Sequence, residues 1–205
     1  MNKYSLKNIA TQVIDLEINA LKTLKKSINK NFDKAVNTIV NCQSKIILCG
    51  VGKSGLIAAK IASTLSSVGS PAFSLSANDC LHGDLGSITR KDVLILISNS
   101  GKSEEIIPII KFANRNKIKL IGIVSKKNSF LYKGSDIKIL LPEVKESGLG
   151  VVPTSSTSIQ LAIGDALAIA SLKKKQFSKY DFSRLHPGGN LGKQLKTVED
   201  VMASG

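Results

Sequence analysis

The stretch K-I-I-L-C-G-V-G-K-S-G, residues 45–55, predicts a strand, a glycine-rich loop and the start of a helix. Lys45–Cys49 is a short apolar run typical of a buried strand, and Ser54–Ser66 has the pattern of a helix. The glycines between them let the backbone come close to a ligand, and the free N–H groups of a helix start attract anions. A strand that leads into a helix in this way indicates an α/β fold.

The same alternation continues along the chain, after helices predicted over residues 5–28 and Phe32–Val40. The further strands and helices predicted are Pro71–Leu75, Val93–Ile97, Lys119–Val124 and Ile137–Leu141 as strands, and Ser103–Asn114 and Ser155–Leu172 as helices. We therefore expect an α/β fold, a three-layer αβα sandwich with a five-stranded parallel sheet and a helical N-terminus. Ligands of such sheets bind at the carboxyl ends of the strands, where the glycine- and serine-rich loops fall.

Amino-acid composition and charge indicate which classes of binding partner to expect. Hydrophobic residues make up 42% of the 205 residues, enough for a sizeable core, and the net charge is +14. Lysines are spread along the chain, and the longest cluster, Lys173–Lys175, follows a helix whose dipole it complements. We therefore predict no nucleic-acid and no membrane partner. Three cysteines without C-x-x-C spacing and no secretory signal indicate a reducing, cytoplasmic location.

The first loop, G-V-G-K-S-G at 50–55, matches the spacing of a dinucleotide fingerprint. That fingerprint expects an acidic residue about 20 positions on, where Phe73–Ser76 stands, so a nicotinamide or flavin cofactor is disfavoured. A nucleotide phosphate loop needs a glycine where Ile47 stands. Two interpretations stay open: a simple phosphate or sugar loop in which Lys53 faces the ligand, and a tight turn with an exposed lysine.

The second loop, S-N-S-G-K-S at 98–103, follows the apolar strand Val93–Ile97. Its hydroxyls and backbone N–H groups can donate to a phosphate. Ser103 can also be an ordinary helix cap. Two such loops after two parallel strands favour phosphate binding.

Six strings give the chain a family resemblance from about Lys45 to Leu195. They are G-V-G-K-S-G (50–55), H-G-D-L-G (82–86), S-N-S-G-K-S-E-E-I (98–106), P-T-S-S-T (153–157), G-D-A-L-A (164–168) and H-P-G-G-N-L-G (186–192). The chain resembles sugar isomerase (SIS) domains, and within them the arabinose 5-phosphate isomerases of bacterial lipopolysaccharide and capsule synthesis.

The resemblance implies an isomerase that interconverts D-ribulose 5-phosphate and D-arabinose 5-phosphate through an enediol, without a metal or cofactor. It places five residues at the family's catalytic positions: Lys53, His82, Glu105, Glu146 and His186. The two loops and the P-T-S-S-T string supply the expected substrate- and phosphate-binding residues: Gly52, Ser54, Ser98, Asn99, Ser100, Ser103, Thr154 and Ser155. His186 is expected to reach a neighbouring subunit's site, which implies a homotetramer.

These residue types suit the chemistry. A carboxylate can act as base, with Glu146 first and Glu105 second, Lys53 can stabilise an enediolate, and the two histidines can move protons. Each also has an ordinary structural interpretation: Glu105 as a surface charge, Glu146 as part of a loop ion pair, and either histidine as part of a turn or cap.

The chain departs from the family pattern at four places. Lys102 stands where a glutamate is common, residues 145–154 are one residue short, and no histidine lies near Ser76, which predicts weaker inhibition by zinc. Fourth, many relatives continue into a pair of CBS modules, and here only residues 197–205, T-V-E-D-V-M-A-S-G, resemble the start of such a module. The expected domains are N-terminal helices over 1–44, an SIS domain over 45–195 and the remnant of a CBS module over 196–205. A non-catalytic sugar-phosphate sensor and an isomerase of another sugar phosphate stay open as alternatives.

Overall fold

A computed structural model describes residues 5–187 and contains a five-stranded, wholly parallel sheet. The strands are β1 Ile46–Gly50, β2 Ala72–Ser76, β3 Val93–Ser98, β4 Lys119–Val124 and β5 Ile137–Leu140. Their order across the sheet is β2-β1-β3-β4-β5. The predicted sheet is confirmed. The direction of strand order changes between β1 and β3, which is where open sheets of this kind form a ligand crevice.

Helices flank the sheet. They are α1 Leu6–Ser27, α2 Lys30–Val40, α3 Lys53–Ser67, α4 Ala77–Cys80, α5 Ile106–Arg115, α6 Phe130–Gly134, α7 Ser155–Lys174 and α8 Lys179–Leu185, with a 3-10 helix at Asp84–Ser87. The helices predicted from periodicity are present, but α5 begins at Ile106 instead of Ser103. None of the described helices is both long enough and apolar enough to cross a bilayer.

The short helices were not predicted. The segment Lys179–Leu185 is mostly polar, yet it forms α8. A capping box between Ser178 and Asp181 satisfies the backbone at its start, so a helix forms with few apolar residues. Residues 188–195, and the expected CBS remnant at 196–205, lie outside the described residues.

The core has two halves, one on each face of the sheet. Ile46 and Leu48 of β1 belong to the half of the core that contains α1, α2, α3 and α7, whereas Ile47 and Cys49 belong to the half that contains α4, α5 and α6. Because both faces are covered, β1 and β3 are buried along their whole length and read as continuous apolar runs. The predicted three-layer αβα arrangement is confirmed.

Glycines bring α3 unusually close to the end of β1. A side chain at Gly50 would place its Cβ 2.8 Å from the carbonyl carbon of Ser54, and one at Gly55 would lie 2.8 Å from the oxygen of Gly50. Gly52 turns the chain between them with a φ of 56°. The N-terminus of α3 therefore lies directly at the carboxyl end of the sheet.

Candidate active site

A cleft of about 440 Å³ opens between α3 and α7 at the carboxyl ends of β1 and β3. We call it the α3–α7 cleft. It is lined by Val51, Lys53, Ser54, Asn99, Glu146, Gly150, Val151, Pro153, Ser156, Thr157 and Gln160. Its volume falls within the usual range for small-molecule sites, roughly 300–1,000 Å³. Four of the predicted site residues, contributed by three separate segments of the chain, meet here.

The α3 side of the cleft carries a cation and a hydroxyl. Lys53 is the first residue of α3, is exposed, and has no ion pair within the described part of the chain. Ser54 donates a hydrogen bond of 3.2 Å from Oγ to Oε1 of Gln160 on α7. This bond links the two helices across the cleft and fixes the direction of the Ser54 hydroxyl.

The α7 side carries a carboxylate. Oε2 of Glu146 accepts hydrogen bonds from the backbone N–H of Thr154 at 2.9 Å, from its hydroxyl at 3.2 Å, and from the N–H of Ser156 at 3.3 Å. Burial raises the pKa of Glu146, but the hydrogen bonds from Ser156 and Thr154 outweigh it and lower the pKa below its ordinary value. Glu146 is therefore an ionised carboxylate at neutral pH, positioned by the N-terminus of α7.

The serine loop, residues 98–103, follows β3 and contributes Asn99 to the lining of the cleft. Oγ of Ser98 accepts a hydrogen bond of 3.0 Å from the N–H of Gly101, whose φ is 64°. Oδ1 of Asn99 accepts one of 2.7 Å from the hydroxyl of Ser125, which follows β4. These bonds tie the loop to itself and to Ser125.

Several predicted phosphate-binding residues lie at or beyond the edge of this cleft. Gly52 is exposed at the start of α3, Ser103 is half-buried just before α5, and Ser100 is exposed on the far side of the serine loop. Thr154 binds Glu146. Ser155 is 0% exposed and its hydroxyl has no hydrogen-bond partner among the described residues, so the structure does not bring it to the cleft.

Three predicted catalytic residues are not among those that line the α3–α7 cleft of a single chain. His82 is exposed between α4 and the 3-10 helix, and Glu105 is half-buried at the residue before α5. His186 ends α8, where its ring stacks on Phe182 with the ring centres 3.9 Å apart and Nδ1 lies 2.8 Å from the Phe182 oxygen. The described residues contain no cluster of three potential metal ligands.

Seven of the eleven lining residues were not predicted from the sequence, and three of these seven are polar: Ser156, Thr157 and Gln160. Gln160 is 1% exposed on a helix that was interpreted as simply apolar, and a glutamine on the buried side of such a helix was the available signal. Ser156 lines the cleft in place of its neighbour Ser155. The choice between adjacent serines depends on the phase of α7, which the string P-T-S-S-T alone does not give.

The fold and the cleft define a parallel α/β domain with a polar ligand site at the switch point of its sheet. A family model described as SIS domain matches residues 39–170, and the chain belongs to the SIS domain family. It is 42% identical to arabinose 5-phosphate isomerase KdsD of Yersinia pestis over 95% of this chain, and 44% identical to KdsD of Francisella tularensis over 97%. It spans 60% and 62% of the length of these two relatives.

A solved structure of c3406 from E. coli CFT073, in complex with arabinose 5-phosphate, superposes with a TM-score of 0.86 and 34% identity. The match covers 91% of this chain and all of that chain. The described fold therefore corresponds to the whole of that solved chain.

Proposed function

We propose that this domain is an aldose–ketose isomerase that interconverts D-ribulose 5-phosphate and D-arabinose 5-phosphate. The observation that carries the proposal is the α3–α7 cleft, in which a lysine ammonium, an ionised glutamate and two polar side chains, Ser54 and Asn99, face one space. The names of the KdsD relatives and of the arabinose 5-phosphate complex support this substrate. A role in supplying 3-deoxy-D-manno-octulosonate synthesis belongs to the same proposal.

Glu146 is the proposed base. The N–H groups of Thr154 and Ser156 and the Thr154 hydroxyl all donate to Oε2, and we assign Oε1 to the substrate. In the direction from ketose to aldose, Oε1 takes a proton from C1, the C1–C2 enediolate forms, and the proton returns to C2. The lowered pKa keeps the base ionised, although it also makes the carboxylate a weaker proton acceptor.

Lys53 is the proposed electrophile. Its ammonium is free of any described ion pair and can stabilise the negative charge that develops on the carbonyl oxygen. Proton movement between O1 and O2 is assigned to His82 and His186, with Glu105 as the second candidate carboxylate. No metal or redox cofactor takes part in the proposed steps.

The phosphate is proposed to lie against the serine loop. Ser54, Ser98, Asn99, Ser100 and Ser103 are the proposed contacts, together with the backbone at Gly52. On the α7 side, Thr154 positions Glu146, and Ser156 takes the substrate-facing place first expected of Ser155.

We further propose a cytoplasmic homotetramer in which His186 completes the site of a neighbouring subunit. The proposal accounts for a histidine that does not line the cleft of its own chain. The domain division expected from the sequence is part of it: α1 and α2 pack on α7 of the SIS domain. Sedimentation or light scattering gives the mass directly, and a monomer with full activity would contradict it.

The test of function is turnover. The purified protein is incubated with D-ribulose 5-phosphate, and D-arabinose 5-phosphate is identified by chromatography and by its C1 proton signal. We expect its formation, with little turnover of hexose or heptose phosphates. A folded protein that binds the sugar phosphate without converting it would contradict the proposal and favour a sensor, whereas preferred turnover of a hexose phosphate would favour another isomerase.

A further inference from the structure

A second cleft lies on the other side of the serine loop, at the carboxyl ends of β4 and β5. Its volume is about 620 Å³, larger than that of the α3–α7 cleft. We call it the β4–β5 cleft. It is lined by Ser100, Lys102, Ser125, Lys126, Lys127, Asn128, Leu140, Leu141, Pro142 and Glu143. The proposed isomerisation assigns Ser100 to the phosphate and uses none of the others.

The charge of the β4–β5 cleft is positive and only partly neutralised. Lys126 forms an ion pair with Glu143 at 2.5 Å. Lys102 and Lys127 are exposed and form no ion pair among the described residues. Three ammonium groups facing one carboxylate leave two uncompensated positive charges in one concavity, which favours an anionic occupant.

Polar and apolar groups in the same cleft suit an organic phosphate. The Asn128 amide is exposed beside the lysines and can donate hydrogen bonds. Leu140 and Pro142, both half-buried, supply an apolar surface at the end of β5. Only three of the ten lining residues are apolar, so the charged and polar groups dominate the cleft and favour the phosphate end of such a molecule.

The two clefts share a wall but not a space. Asn99 lines the α3–α7 cleft, whereas Ser100 and Lys102 line the β4–β5 cleft. Ser125 is bonded to Asn99 through its hydroxyl at 2.7 Å and through its backbone N–H at 3.1 Å. The serine loop and this pair of bonds separate the two volumes.

We propose that the β4–β5 cleft is a second binding site, for a small phosphorylated molecule, and that it is occupied independently of the α3–α7 cleft. Lys102 and Lys127 bind the phosphate, Asn128 completes its hydrogen bonds, and the apolar wall receives the remainder of the molecule.

Inorganic pyrophosphate is the probe, titrated calorimetrically at about 150 mM salt, where nonspecific surface attraction is largely screened. The α3–α7 cleft is first filled with D-arabinose 5-phosphate at the lowest concentration that saturates turnover, so that the first site is occupied and the second stays open to the probe. We expect one further equivalent of pyrophosphate to bind per chain. An absence of binding under these conditions would overturn the proposal.

Charge-reversal variants locate that binding. Lys127→Glu is expected to weaken pyrophosphate binding at least about tenfold, because it reverses one of two uncompensated charges. Lys111→Glu, an exposed lysine on α5 outside both clefts, makes the same change in net charge and is expected to leave binding within about twofold. Equal losses in both variants would show general attraction to a basic protein and would overturn the site.

The arabinose 5-phosphate site is tested separately with Lys53→Ala. This variant is expected to lose turnover and to keep pyrophosphate binding, because Lys53 lines only the α3–α7 cleft. Loss of pyrophosphate binding in Lys53→Ala would mean that the probe had displaced sugar phosphate from the first site, and the second site would be rejected. Failure of turnover in the wild type would count against the proposed isomerase and leave the second site standing.

Discussion

Glu146 joins two tasks at the scale of a single residue: its carboxylate caps α7, and it faces the α3–α7 cleft. A cap of this kind needs only an acceptor oxygen, whereas a base needs the negative charge. The two tasks can therefore be separated by replacing the carboxylate with an amide of the same shape.

We predict that Glu146→Gln lowers kcat by at least about 100-fold, the usual contribution of a general base, while its amide oxygen keeps the helix cap. Progress of the D-ribulose 5-phosphate reaction and the thermal midpoint measure the two effects. Glu143→Gln is the matched control, since Glu143 follows β5 at the same edge of the sheet but lines the other cleft. A fully active Glu146→Gln would transfer the role of base to Glu105.

The hydrogen bonds to Glu146 also predict a pH effect. They lower its pKa below the ordinary 4.5, so activity that requires the carboxylate is present above pH 4.5 and is lost as pH falls through that lowered value. Thr154→Val removes the hydroxyl that donates at 3.2 Å, and we expect the acid limb of kcat/KM to move to higher pH. Thr157→Val, whose hydroxyl bonds a backbone oxygen instead, should leave that limb in place. Coincident acid limbs in wild type and Thr154→Val would contradict the assignment.

At the scale of an element, the serine loop between β3 and α5 accepts only glycine at position 101. Gly101 has a φ of 64°, and a Cβ there would lie 2.6 Å from Cγ2 of Val124 and in contact with Oγ of Ser129. The turn between β3 and α5 therefore fits only a residue without a side chain. Both the strand that ends at Ser98 and the loop that follows depend on this one position.

We predict that Gly101→Ala costs about 2–4 kcal/mol of unfolding free energy, from backbone strain and overpacking together. It should also raise KM for the sugar phosphate more than it lowers kcat, because the proposed phosphate contacts are displaced. Gly86→Ala is the control: its φ is ordinary and no atom lies within 4 Å of its Cβ position. Denaturant titration measures stability, and equal effects of the two variants would contradict the argument.

The elements themselves could largely be predicted from the sequence, because β1, β3 and β4 are buried on both faces and are therefore continuous apolar runs. The segment 145–154 could not be. It turns through Gly148 and Gly150, both at positive φ, and is held by an isolated bridge between Ser147 and Val152. This path of the backbone places Glu146 at the N-terminus of α7. It has no repeating sequence pattern from which it could be predicted.

Contacts between residues that are far apart in the sequence could not be predicted either. The bond between Ser54 and Gln160 joins residues 106 positions apart, so neither residue's surroundings could be inferred from nearby sequence. The apolar stripe predicted on α1 is present, but only Ala20 and Leu24 are buried, while Ile9 is 44% exposed. The spacing of the apolar residues shows that they share one face of α1. It does not show how much of that face is buried by the rest of the protein.

At the scale of the whole molecule, one end of the sheet forms the clefts and the other contains a buried charge network. The carboxyl ends hold both clefts, whereas the amino ends hold a buried charge network around Asp92. Asp92 is 2% exposed and accepts hydrogen bonds from Thr89 N–H at 2.6 Å and from Lys45 Nζ at 3.1 Å. These bonds join the first residue before β1 to the turn before β3, away from either cleft.

The last prediction follows from that separation. Burial raises the pKa of Asp92, but hydrogen bonds from Thr89 and Lys45 outweigh it and lower the pKa from 3.8 to about 2. The carboxylate therefore stabilises the fold above pH 3.8, and that stability, about 2 kcal/mol, is lost as pH falls toward 2. Asp92→Asn should unfold more easily at pH 7 by about 2–3 kcal/mol, and its kcat should stay within about twofold of wild type.

The difference in stability between wild type and Asp92→Asn should then shrink as the pH of the denaturant titration falls from neutrality to below 3.8, because protonation removes the charge that the substitution removes. Asp165→Asn is the control, since its ion pair with Lys60 is exposed and is worth at most about 1 kcal/mol. If Asp92→Asn lowered kcat in proportion to stability, the two ends of the sheet would be coupled. If its effect on stability did not depend on pH, the buried charge would not be its cause.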